Sequence, residues 1–224
     1  MNYVHGDLRD QLAFVGFDVV QAGLVTGSGG NLSARIPDED AIWVTASGTW
    51  LGRLSRTTFA PVRISDGSPT AIGSVPSPRI EPTTEIALHL ALYRARPDVN
   101  AVIHLHPQTA LLLDALGEHI RIVTTDHAYY LGRVSTVPFR LPGSTEVAAL
   151  TAAMAADGTD CLVLSQHGCV VMADSIELAH KRARNLEEAA LLTYRALAAG
   201  RLENLRDCPE DFLNRLGTPT ALSV

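Results

Sequence analysis

The stretch Val102-Ile103-His104-Leu105-His106-Pro107 decides how the rest of the chain is read. In an extended strand, alternate side chains point to the same face. His104 and His106 therefore aim two imidazoles into one space. A second apolar run, Val163-Leu164-Ser165-Gln166-His167-Gly168, ends on a third histidine beside a glycine that lets another backbone approach closely. Three imidazoles from two strands form a facial triad that a divalent metal can use. The competing explanation is three ordinary strand-end histidines, which an alternating pair plus a third in a matching setting disfavours.

Working outward, leucines and valines at 8, 12, 15 and 19 repeat at helical spacing, so a first amphipathic helix is expected over 8–22. Short strands are expected over 32–36, 41–46 and 61–64, followed by a turn at Asp66-Gly67 and a surface excursion over 65–82. A second helix runs from Thr83 or Thr84 through Arg94, and Pro97-Asp98 turns the chain into the strand with the histidine pair. Pro107 opens a third helix that Gly117 closes. A strand over 133–139 and a helix over 144–156 follow, and two strands flank His167-Gly168. The last long helix is expected to start at Asp174 in a capping box with Glu177 and to bury Ile176, Ala179, Ala183, Leu186 and Ala190. No repeat or linker divides the chain. The pattern reads as α/β, a three-layer αβα sandwich in one domain spanning 1–224, with a core over about 8–195 and a tail over 200–224.

The 224 residues suffice for a full core, and 46% apolar with 19% charged residues is a globular composition. A net charge of −6 without a basic run argues against a nucleic-acid partner. No apolar stretch approaches the ~20 residues of a membrane span, and the N-terminus lacks the cationic and apolar regions of a signal peptide. Cys161, Cys169 and Cys208 are odd in number and form no C-x-x-C pair. Reduced thiols and a cytoplasmic location are expected.

Three loops are suited to an anion. Thr26-Gly27-Ser28-Gly29-Gly30-Asn31 offers backbone N–H groups and an amide; Thr45-Ala46-Ser47-Gly48 offers a hydroxyl in a small turn; Thr83-Thr84 lies at an expected helix N-terminus. Each alone is ordinary turn or cap chemistry. Only a fold that gathers all three makes a phosphate cradle. Glu85 follows at once, as a first-turn acid that complements the helix dipole or as a carboxylate beside the metal.

These residues resemble the class II aldolase/adducin family, through GSGGNLSAR (27–35), TASGTWLGRL (45–54), EPTTEIALHLALYRARPDVNAVIHLHP (81–107) and VLSQHGCVVMADSIELAHKRARNLEEAA (163–190). The resemblance implies a sandwich with a central, mainly antiparallel sheet, and a homotetramer with sites at subunit interfaces. It implies that His104, His106 and His167 bind zinc, with Glu85 as catalytic base and further ligand. It places a phosphorylated sugar against Gly30, Asn31, Ser47, Gly48, Thr83 and Thr84. Departures from the family pattern are Gln166 where Asn is usual, Ala173 for Gly, and Thr83-Thr84 for Ser-Ser. A second acid/base is sought in Asp126-His127-Ala128-Tyr129-Tyr130, where Ala128 replaces the Asp of the epimerase branch. Tyr129, Tyr130, His127 and Asp126 are the candidates. Packing aromatics are the alternative for the tyrosines.

The implied activity is metal-dependent aldol cleavage of a sugar phosphate through an enediolate whose charge the metal stabilises. Decarboxylase, dehydratase and epimerase relatives share that logic and are the alternatives. A non-enzymatic adducin-like role is disfavoured because all three histidines and Glu85 are present. A cupin is disfavoured because Thr109 and Ala110 stand where its Glu belongs. An amidohydrolase barrel needs a longer chain. Zinc is expected, although three imidazoles with oxygen ligands also accept manganese, cobalt or iron. Of the other histidines, His5, His119 and His180 read as solvated or capping and His89 as helix-face packing.

Overall fold

The computed structural model describes residues 6–72 and 80–216. The middle of the expected excursion over 65–82, the end of the tail and His5 lie outside the described residues. Helix α1 (Leu8–Gln21) begins where Asp7 accepts the N–H of Arg9 at 2.9 Å. Three strands follow, β1 (Asn31–Arg35), β2 (Ala41–Thr45) and β3 (Phe59–Arg63). Next come α2 (Ile86–Ala95), β4 (Ala101–Leu105) and α3 (Gln108–Leu116), the last closed by Gly117 at φ 76°. Then α4 (Thr125–Leu131), β5 (Val134–Val137), α5 (Thr145–Ala155), β6 (Cys161–Leu164), β7 (Gly168–Ala173), α6 (Ile176–Ala198) and α7 (Glu210–Leu216) complete the order.

The strands form one seven-stranded sheet in the order β3-β2-β1-β4-β7-β6-β5. The sheet is mixed, which corrects the expectation of a mainly antiparallel one. From β3 through β6 each pairing is antiparallel, but β5 joins β6 in parallel. The cause is α5, which carries the chain from the end of β5 back to the start of β6. A helix-length crossover between neighbouring strands leaves them parallel.

Alternation along the strands feeds two cores. Ala101, Ile103 and Leu105 of β4 face α1, α3 and α6, with Leu12, Val15, Leu113 and Leu186. Val102 faces the other way, toward Leu88, Leu92 and Tyr93 of α2 and Ala155 of α5. Helices thus cover both faces. Placing His104 on the Val102 side fixes which layer holds the candidate site.

Two local expectations need correction. Helix α6 is capped by Ser175, whose Oγ accepts from the N–H of Leu178 at 3.4 Å, and Asp174 instead takes the Ser175 hydroxyl at 3.0 Å. Adjacent Asp and Ser offer equivalent caps, and the backbone chose the second. His180 is not solvated. It is buried, with Nε2 2.7 Å from Asp18 of α1 and its ring edge against Phe14. Helix α4 was not expected at all. It is seven residues long, and a cap from Thr124 and packing on α6 stabilise it where local periodicity does not. Among the described residues no helix is long and apolar enough to cross a membrane.

Gly16 is where α1 meets the short turn at Leu51–Arg53. A Cβ there would stand 2.5 Å from the Leu51 carbonyl oxygen and 2.8 Å from Leu54 Cδ1. Helix propensity favours alanine by about 1 kcal/mol, whereas overpacking costs about 1–3 kcal/mol. Gly16→Ala should lower the urea-unfolding free energy; a raised midpoint would contradict this packing.

Candidate metal centre

Register brings the pieces together. Asn31 at the start of β1 pairs with His104 on β4, and His104 pairs on its other side with Val170 of β7. A three-residue loop, 165–167, joins β6 to β7 and delivers His167 beside the pair. The three rings have centroids 4.8, 5.0 and 5.4 Å apart. One nitrogen from each falls in a cluster whose ligand atoms lie within 4.8 Å of one another. His104 is fully buried, and its Nδ1 donates to the Cys169 carbonyl at 3.0 Å. That contact leaves Nε2 of a neutral imidazole with its lone pair turned inward. The Nε2 atoms of His104 and His106 approach to 3.1 Å. Burial, and then repulsion from any charge placed on the neighbouring His104 and His167, pushes His106 down to about 4, so it is neutral at pH 7 and able to bind a metal.

Glu85 is the N-cap residue of α2 and closes the cluster. Its Oε2 lies 3.1 Å from His104 Nε2 and its Oε1 3.1 Å from His167 Nε2. Asn31 Nδ2 donates to Oε2 at 2.7 Å. Burial raises the carboxyl's pKa, but the ring nitrogens of His104 and His167, when they carry a proton in place of a metal, and the Asn31 amide outweigh it and hold Glu85 well below the usual carboxylate range.

Behind Glu85 runs a buried polar chain. The carboxylate accepts only, so the Asn31 amide nitrogen faces it and Oδ1 faces His89 Nε2 at 2.5 Å. His89 Nε2 is then the donor, and Nδ1 accepts from Ser33 Oγ at 2.6 Å. Ser33 in turn contacts the Tyr93 hydroxyl at 2.9 Å. Burial, then repulsion from any charge placed on His104, pushes His89 down to about 3. His89 was read as packing, and Ser33 and Tyr93 were missed. The available signal was spacing: His89 lies one helical turn beyond Glu85, and Ser33 lies two strand residues beyond Asn31.

In front of the cluster is a cavity of about 440 Å³. Gly30, Asn31, Ser47, Gly48, Thr83, Thr84, Glu85, His106 and His167 all line it, so the three loops do converge. Ser28, Thr49, Pro142 and Gly143 also contribute and were not anticipated. Asn31 lines the cavity, but its amide is engaged with Glu85 and His89. Among the described residues no Lys or Arg lines the cavity, and N–H groups, hydroxyls and the start of α2 are the donors they offer an anion. The chain does not bring Tyr129, Tyr130, His127 or Asp126 to this cavity. Helix α4 packs on α6, and Tyr129 and Tyr130 line a separate pocket with Arg133, Asp157 and Arg182. His127 is fully buried, with Nδ1 accepting from the Thr124 N–H and Nε2 3.8 Å from Glu188.

The chain is similar to known proteins in sequence and fold. The family model for the Class II Aldolase and Adducin N-terminal domain matches residues 10–194, and the chain belongs to that family. A 3-oxo-tetronate 4-phosphate decarboxylase from Escherichia coli K12 is 34% identical over 215 residues, covering 91% of this chain and 97% of the relative. An L-fuculose phosphate aldolase from Methanocaldococcus jannaschii is 32% identical over 169 residues, 75% of this chain and 86% of that one. The crystal structure of YgbL from Escherichia coli superposes with a TM-score of 0.82 at 30% identity, covering 94% and 98% of the two chains.

The donor set fits a divalent ion. One nitrogen from each of the three rings lies in a single cluster with the Glu85 carboxylate against it, and the backbone at Gly168 packs closely on two of the rings. A Cβ on Gly168 would sit 2.6 Å from the Leu105 carbonyl oxygen and 2.7 Å from both His104 Cε1 and His106 Cδ2. Gly168→Ala should therefore weaken retention of a divalent ion at least ~10-fold, a typical cost of disturbing a ligand's support. Metal analysis after dialysis checks this; wild-type metal content in the folded variant would contradict it.

Proposed function

We propose that this chain is a divalent-metal lyase that breaks a carbon–carbon bond beside a carbonyl in a phosphorylated sugar or sugar acid, with decarboxylation as the preferred reaction. The observation that carries the reading is the convergence of His104, His106, His167 and Glu85 at the floor of a cavity rimmed by hydroxyls and glycines.

A divalent ion held by the three imidazoles supplies Lewis acidity toward a carbonyl oxygen and the negative charge that grows on it. The neutral imidazoles leave that charge available, and zinc, manganese, cobalt and iron all suit the donors. The chain's residues do the rest. Gly30, Ser47, Gly48, Thr83 and Thr84 would hold the phosphate away from the reacting bond and so fix orientation. In the decarboxylation of a 3-oxo acid, the bond to the carboxylate breaks and carbon dioxide leaves. Its electron pair passes into the enolate, and a proton then adds at carbon. Glu85 faces the cavity, and its carboxylate can orient a water that delivers a proton to that carbon and is replenished from solvent. No second base is required. This agrees with the lining of the cavity, where Glu85, His106 and His167 are the titratable groups among the described residues.

The second reading is the aldol cleavage expected from sequence, and the similarity to L-fuculose phosphate aldolase favours it. It needs a group to take the carbinol proton. Tyr129, half-exposed on α4, meets that need only by reaching the cavity of a neighbouring subunit, as the expected tetramer would allow.

The test is an assay of metal-loaded protein on 3-oxo-tetronate 4-phosphate and L-fuculose 1-phosphate. Carbon dioxide release from the first is the expected outcome; release of dihydroxyacetone phosphate from the second alone selects the aldolase. Glu85→Gln should keep its metal and lose roughly 10²–10⁴-fold in kcat, the usual contribution of a positioned acid or base. Normal turnover at full metal load would remove Glu85 from the reaction.

A further inference from the structure

The three imidazoles are not supported alike. His104 is oriented by its Nδ1 contact to the Cys169 carbonyl. His167 has a buried Nδ1 with no hydrogen-bond partner among the described residues. Its direction is therefore set by the backbone that presents it. That backbone is unusual: Gln166 has φ 55°, in the left-handed region that residues with a Cβ rarely adopt. Asn is the side chain that best tolerates the position besides Gly, and Gln has no such advantage.

Something must hold the turn, and the geometry points to Asp114. Asp114 Oδ2 accepts the Gln166 N–H at 2.8 Å and the Ser165 hydroxyl at 3.1 Å. Two further backbone bonds, Ser165 N–H to Val137 and His167 N–H to Leu164, each at 3.0 Å, flank it. Asp114 is itself fixed. It lies on α3 next to the fully buried Leu113, and α3 begins immediately after His106-Pro107. The free N–H groups of Thr109 and Ala110 at its start are taken by both oxygens of Glu187 on α6, at 2.9 and 3.0 Å. One clamped helix thus connects the histidine pair at its start to the third histidine near its end.

We propose that Asp114 is a positioning residue for the candidate metal centre, holding Gln166 left-handed so that His167 faces Glu85 and His104. The inference rests on the metal reading of the site. The carboxylate touches neither metal nor substrate, and it acts through the loop.

The experiment compares Zn²⁺ affinity, by competition with a chromophoric chelator, and thermal unfolding in wild type, Asp114→Ala, Asp114→Asn and Asp114→Ala/Gln166→Gly. Asp114→Ala should bind Zn²⁺ about 10–100-fold more weakly, the range for lost support of a ligand. Asp114→Asn, which keeps one acceptor oxygen, should lose less. Gln166→Gly should restore most of the affinity in the Asp114→Ala background, because glycine adopts φ 55° at no steric cost. A purely structural role for Asp114 predicts no such rescue of affinity. Wild-type affinity in folded Asp114→Ala, or a double variant as weak as the single one, overturns the proposal. Should Asp114→Ala not fold, Asp114→Asn decides alone: weakened binding that Gln166→Gly reverses supports it, and unchanged binding overturns it. Wild type that takes up no Zn²⁺ overturns the metal reading and this inference with it, an outcome distinct from all the others.

Discussion

Two ring nitrogens 3.1 Å apart, His104 Nε2 and His106 Nε2, set the terms for the whole site. If both are unprotonated, their lone pairs repel at that distance. A proton between them would put charge where His104 is fully buried and where His106 is already held neutral by burial and by its neighbours. A divalent cation resolves the conflict, because it uses both lone pairs and brings the charge that Glu85 balances. The fold is organised around keeping these groups close. The central strands β1, β4 and β7 supply the floor, the Cys169 carbonyl sets the His104 tautomer, and missing side chains at Gly29 and Gly168 leave room for His106 and its neighbours.

Keeping a charged cluster under an apolar helix layer demands that every polar atom behind it be satisfied. The chain Tyr93–Ser33–His89–Asn31–Glu85 does this with one donor and one acceptor assignment along its length. It also explains why Asn31 is turned away from the open cavity. The carboxylate on which the chemistry depends is thereby oriented from behind, while its other side faces the histidines. The front of the cavity stays open and hydroxyl-rich, and among the described residues no cationic side chain lines it, which suits a ligand whose charge is shared between a metal and a set of N–H groups.

Much of this was legible in the sequence because it rests on short periods. The histidine pair shares a face because strand side chains repeat every two residues, and α6 showed its buried face because a helix of 23 residues carries many turns of evidence for it. The three loops were legible as chemistry but not as one place, since the β1–β2 register and the bridge between Ala46 and Pro82 are what unite them. Helix α4 was invisible: seven residues with two tyrosines show no amphipathic repeat, and their stability comes from a cap and a neighbour. The parallel edge at β5 was hidden for a similar reason, because strand direction follows from a crossover and not from local pattern. His89 and His180 looked ordinary one at a time, and their partners Asn31, Ser33 and Asp18 lie 58, 56 and 162 residues away.

The central claim, that three imidazoles jointly bind one divalent ion, is tested most directly by X-ray absorption at the metal edge of the purified, metal-loaded protein. Ligation by the three histidines gives a first shell of nitrogen and oxygen near ~2.0–2.1 Å, with the multiple-scattering signature of three imidazoles. A sulfur shell near ~2.3 Å, or a spectrum with a single imidazole, would contradict it.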